Sequence, residues 1–164
     1  MTALVWAVIG IGLAAALLFG GISYFQNTGP SRSQTRETVI TAFQTLASAY
    51  RAYISANNIA PTGGAWQTQL VPAYISELKY PISGMTWSYG ADGAAQCGGV
   101  SCGNYFCLSG SVSQAVYKGF NDASSSFASN AYIIDTSACA ARTNASAPAS
   151  WPANVYVTYW LQGA

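Results

Sequence analysis

Histidine is absent from this sequence and charge is scarce: six Lys or Arg and five Asp or Glu stand among 164 residues, 7% of the chain. Soluble domains ordinarily carry about a quarter. Without histidine, neither a Ser-His-Asp nor a Cys-His catalytic arrangement can be built. The carboxylates Glu37, Glu77, Asp92, Asp122 and Asp135 are far apart in sequence, and nothing pairs them for acid–base work. The cations Arg32, Arg36, Arg51, Lys79, Lys118 and Arg142 are scattered rather than patched, which argues against high-affinity nucleic-acid binding. No Gly-rich loop ends in Gly-Lys-Ser/Thr, and Asp92-Gly93 reads as a turn. We expect no enzyme, no cofactor and no metal centre. The formal net charge of +1 favours self-association.

The scarcity is most extreme at the start, where residues 1–31 contain no charged side chain. From Ala3 to Phe25 the run is apolar apart from glycines and Ser23, long enough as a helix to cross a bilayer core of about 30 Å. Three readings compete. A secretory signal peptide needs a basic region before its apolar stretch and a cleavage site after it. A plain membrane anchor needs cations on the cytoplasmic side, whereas Arg32 and Arg36 follow the run and the remainder looks exported. A processed N-terminus at Met1, its basic leader removed, accounts best for the pattern. Gly10, Gly12, Gly20 and Gly21, with several alanines, suit close helix packing, although such residues are common in any membrane helix.

The cluster Asn27-Thr28-Gly29-Pro30-Ser31 should break or kink that helix near residues 27–31. Val39, Phe43, Leu46, Tyr50 and Ile54 then recur at spacings of three and four, predicting an amphipathic helix over 32–58 with Ser33 or Thr35 as its N-cap. The plain reading of the stripe is packing on the domain's own sheet. Short helix is expected at Trp66–Leu70 or Pro72–Leu78. Strands are expected at Met85–Tyr89, Asn104–Leu108, Ala131–Asp135 and Asn154–Leu161, the last with Val155, Val157 and Tyr159 on one face. Val112–Phe127 reads as a helix whose shared face is Val112, Ala115, Val116 and Phe120. Residues 140–153 look like a long surface loop.

All four cysteines lie in the C-terminal half. Their spacing is marginal for zinc, and an even count in an exported-looking domain reads better as two disulfides. Three connectivities exist. Proximity favours Cys97–Cys102 through Gly98-Gly99, which leaves Cys107–Cys139. Asn144-Ala145-Ser146 matches the N-glycosylation sequon, a pattern short enough to arise by chance in a polar loop.

In layout the chain resembles the type IV pilin family: an apolar helix, an amphipathic continuation, an antiparallel sheet, and a C-terminal region bounded by Cys107 and Cys139. The Met1 start and the stretch YFCLSGSVSQAVYKGFNDASSS look more like the type IVb branch, which includes conjugative thin pili. The resemblance implies an α+β pilin fold, with a long helix, kinked near 27–31, packed on a small sheet. Residues 1–26 would form a membrane and filament-core helix, 27–31 a kink or melted segment, and 32–164 the exported globular domain. It also implies a helical homo-oligomer, an N-methylated Met1, a prepilin peptidase and assembly machinery as partners, and passage from the bacterial inner membrane to an extracellular pilus. Adhesion, conjugation and motility remain equal as roles. The family's fifth mature residue is glutamate, where this chain has Val5. That departure fits a minor subunit or a different register for Met1. The competing classes are a non-polymerising minor pilin or membrane-anchored periplasmic interaction protein, and a secreted adhesin or enzyme that keeps its anchor.

Overall fold

The computed structural model describes residues 32–79, 81–91 and 103–161. The chain divides into two units, Met1–Pro30 and Ser31–Ala164, and every described residue belongs to the second. The expected helix 1–26, its packing residues Val5, Gly10, Gly12, Gly20 and Gly21, the processed Met1, the Gly29-Pro30 kink and the Cys97–Cys102 bridge all lie outside the described residues.

Helix α1 (Arg32–Asn57) buries Val39, Phe43, Leu46 and Tyr50, the stripe its spacing predicts. Tyr53 is buried as well, and Ile54 only half so. The helix ends where Asn58 takes a left-handed φ of 56°, with its amide still donating to Ile54 O at 2.8 Å. Neither Ser33 nor Thr35 caps it, because both lie inside the helix. Thr35 is instead 1% exposed and faces another helix.

Helix α2 (Trp66–Leu70) is a single turn whose Trp66 and Leu70 enter the core. It stops because Val71 is extended (φ −105°, ψ 134°) and Pro72 has no amide to donate. No helix forms over Pro72–Leu78, contrary to one of the two sequence alternatives. That stretch runs instead as an irregular segment with Tyr74, Ile75 and Leu78 packed on the core.

Four strands, β1 (Thr86–Ala91), β2 (Asn104–Val112), β3 (Tyr132–Asp135) and β4 (Ala153–Leu161), form one antiparallel sheet in the order β1-β2-β4-β3. The last strand in sequence is therefore inserted between earlier ones. Its register places Tyr159 against both Phe106 and Tyr132, and Val157 against both Leu108 and Ile134. Because side chains alternate along a strand, these residues share one face with Trp87 and Tyr89. All of them belong to the core cluster under α1 or pack on it. The domain is thus α+β with a four-stranded antiparallel sheet.

Phe43 is the contact between the layers. Its ring meets Trp87 at 5.0 Å, Tyr159 at 5.5 Å, Tyr132 at 5.8 Å and Phe127 at 6.3 Å, three of the four pairs edge-on. Edge-to-face geometry sets the positive ring edge against a negative ring face. Tyr132 is almost fully buried, and its hydroxyl donates to Phe120 O at 3.2 Å. Burial pushes that phenol upward in pKa, so it stays a neutral donor.

Two sequence expectations about where elements end are corrected. Strand β2 runs to Val112 rather than ending at Leu108, although Ser109-Gly110-Ser111 is a poor strand sequence. A Cβ at Gly110 would lie 2.8 Å from Gly84 O, so glycine is what lets the Gly84-Met85 backbone pass there. The expected Val112–Phe127 helix is shorter: α3 (Gln114–Ala123), followed by a 3-10 turn at Ser124–Ser126. Ser113 is its N-cap, with the hydroxyl accepting from the Val116 amide, and Val112 belongs to β2. The buried face of α3 is Val116, Gly119, Phe120 and Ala123, and Ala115 is exposed.

Truncating Phe43 to Ala should cost about 3–5 kcal/mol, since an aromatic anchor between two layers leaves a void that cannot collapse. Urea unfolding of the variant checks this, and a loss below about 1 kcal/mol would contradict the packing account.

Candidate interaction surface

The described carboxylates are engaged locally rather than gathered. Asp122 pairs with Arg32, Glu37 with Arg36, and Glu77 with Lys79 at 3.2 Å. Asp135 closes a turn, accepting from the Ser137 hydroxyl, from the Ser137 amide at 2.6 Å and from the Ala138 amide at 3.3 Å. The Ser137 hydroxyl, followed by these amides, holds the Asp135 carboxyl below the usual carboxylate range. Among the described residues no three His, Cys, Asp or Glu side chains gather as a metal site would require. Among the same residues, no helix is long and apolar enough to cross a membrane.

An open groove of about 760 Å³ lies between α1 and the irregular segment 74–79, with Pro81 at its end. Its helix wall includes Thr38, Thr41, Ala42 and Thr45, and its opposite wall Tyr74, Ile75 and Leu78. A shallower extension continues along Ser48, Ala49 and Ala52. Thr38, Thr41, Thr45, Ser48 and Ala52 are spaced alternately by three and four residues, so they form one seam on a helix. Every seam residue is exposed, small and uncharged. The Thr38 hydroxyl donates to Gln34 O at 2.7 Å, so its polar atom is satisfied within the helix. Charge appears only near the ends, at Glu37, Glu77 and Lys79. A solvated helix face ordinarily carries charged residues. This one carries only small uncharged side chains, which would let another backbone come close.

The opposite face of the sheet is covered by the chain itself. The Cys107–Cys139 disulfide joins β2 to the β3–β4 connection, with Cα atoms 5.9 Å apart. The Ala140 amide donates to Thr158 Oγ1 at 3.1 Å, and Trp160 Nε1 donates to Ala141 O at 3.1 Å. The Arg142 guanidinium lies 3.4 Å above the Trp160 ring. This layer explains why Thr158 and Trp160 are buried in addition to the Val155 and Val157 face, which sequence alternation did not indicate.

Asn144, the sequon residue, is exposed, yet its side-chain oxygen accepts from the Ile134 amide at 2.7 Å. The Ala145 amide returns a bond to Ile134 O at 2.9 Å. Together these occupy the free edge of β3, where unpaired backbone groups would otherwise invite another strand. The sequon reading missed this role, because nothing local in Asn-Ala-Ser places it beside β3. Arg142 over Trp160 was equally invisible, the two being 18 positions apart in sequence.

Comparison with known protein families, with curated proteins and with solved structures finds no match for this chain.

Replacing Cys107 and Cys139 together by Ser should cost about 3–4 kcal/mol, from the chain entropy regained when the loop opens. Unfolding under oxidising conditions measures it, and wild type with reductant should approach the double variant. Acid should act in a defined direction. Asp135 has a depressed native pKa, so its contribution is complete above the unfolded value near pH 4 and is lost as pH falls through the native one. Below about pH 4, Asp135→Asn should therefore show a shallower fall of melting temperature with acid than wild type.

Proposed function

We propose that this chain is the structural subunit of a filament of the type IV pilus kind. The observation that carries the reading is the exposed, uncharged seam of α1 with its adjoining groove, placed directly after an uncharged apolar segment in sequence. The domain satisfies its own core with the other face of α1 and leaves this one open. Helices rich in small residues, such as the stretch holding Gly10, Gly12, Gly20 and Gly21, are the natural partners of a seam built from Thr, Ser and Ala.

The mechanism follows from that pairing. A prepilin peptidase processes the subunit, and residues 1–26 hold it in the bacterial inner membrane. Assembly machinery then exchanges lipid contacts for contacts with neighbouring subunits in the fibre core. Gly29 and Pro30 let the segment bend while this happens. The globular domain coats the extracellular fibre, with the disulfide-pinned layer over Thr158 and Trp160 kept intact outside the cell.

One observation favours a second reading. Val5 stands where the family has glutamate, which fits a minor pilin that does not polymerise alone, or a membrane-anchored periplasmic interaction protein.

Electron microscopy of sheared surface fractions separates the two: fibres containing this chain as the bulk component support the first. Thr41→Arg with Thr45→Arg, exposed positions outside the core, should abolish those fibres while moving the melting temperature by less than about 3 °C. Fibres of unchanged yield from that variant would remove the seam from the interface. Deleting residues 1–25 should leave a soluble monomer, and fibres from the truncated chain would sink the core-helix model.

A further inference from the structure

The first turn of α1 is held in a way the core does not require. The sheet-facing anchors of α1 begin at Val39, so residues 32–38 precede them. Arg32 grips the Asp122 carboxylate with both Nε and Nη2, the latter at 2.6 Å. Arg36 donates from Nε to Asp122 O at 3.4 Å and from Nη2 to Ser126 Oγ at 3.2 Å, while its Nη1 contacts Glu37. Beneath them the two helices touch: a Cβ at Gly119 would fall 2.6 Å from Thr35 Cβ and 2.8 Å from Arg32 O. No residue larger than glycine can stand there without shifting α1.

The placement of charge is informative. Asp122 sits in the last turn of α3, the negative end of its dipole, where an acid is unfavourable. Arg32 and Arg36 lie in the first described turns of α1 and both reach that end of α3. Asp122 is misplaced for its own helix and is met there by the cations of the other. Six cations serve the whole chain, and two of them converge on this one crossing.

We propose that Arg32, Arg36, Asp122 and Gly119 form a clamp that fixes the root from which residues 1–31 continue, keeping the first turn of α1 helical and docked on α3. Surface ion pairs add little to global stability, so the clamp acts on local order. Without it, the first turn would fray as unrestrained helix ends do. Its use, which rests on the filament reading, is to pass load from the N-terminal segment into the domain without peeling α1 from the sheet. Arg32, Arg36 and Asp122 are positioning residues in this role.

Amide hydrogen exchange on the full chain in detergent micelles tests the clamp directly. Arg32→Gln with Arg36→Gln should speed exchange at residues 36–39 by about tenfold while residues 43–50 stay within about twofold of wild type. The charge-swapped pair Arg32→Asp with Asp122→Arg should recover part of the protection, which a loss of general packing would not allow. No change at residues 36–39, or an equal rise along all of α1, overturns the proposal. The expected pattern in a protein whose wild type forms no fibres upholds the clamp and refutes only the filament reading.

Discussion

The seating of Phe43 on an aromatic sheet is the contact on which the rest of this domain depends. One ring on α1 reaches three strands and the segment after α3, so the helix, the central strand β4 and the edge strands β1 and β3 are tied through a single site. Burial of large rings is the main driving term for a domain of this size, and aromatic edge-on contacts add geometric preference. A helix so anchored can bury one face completely and leave the other uncommitted. The uncharged seam is tolerable on the surface only because stability has already been supplied from the opposite side of α1.

Around that anchor, special backbone positions settle the details. Gly110 lets β2 continue past an unpromising Ser-Gly-Ser, and Gly119 lets α3 touch α1. On the far side of the sheet, the disulfide, the Trp160 and Thr158 hydrogen bonds and the Arg142 contact press an otherwise polar connection into a second layer. Asn144 and Ala145 close the β3 edge, which matters for a chain with a net charge of only +1. Low charge permits intended association and unwanted strand pairing alike, and edge protection restrains the second.

The charged residues fit the same economy. Each described carboxylate has a local structural employment, in an ion pair or an Asx turn, and the chain has no histidine. The described carboxylates are thus committed to holding the fold in place. The filament proposal joins the uncharged seam to the apolar segment that precedes it.

Much of the fold could be read from sequence because it rests on periodicity. The stripe Val39, Phe43, Leu46, Tyr50 gave the helix and its buried face, and the β-branched and aromatic runs gave four strands to within a few residues. The uncharged character of residues 1–31 and the absence of histidine are likewise properties of composition alone. Tertiary structure decided what depends on neighbours distant in the chain. Thr35 became a contact with Gly119 rather than a cap, β4 entered the middle of the sheet, and Asn144 turned to the edge of β3. The α1 seam shows the division most clearly. Its small residues are plain in the sequence, but only the packing of the opposite face, and the Tyr74–Leu78 segment beside it, left them as one wall of an open groove. Local pattern determines which face of an element is apolar; which face remains uncovered is set by everything else that folds against it.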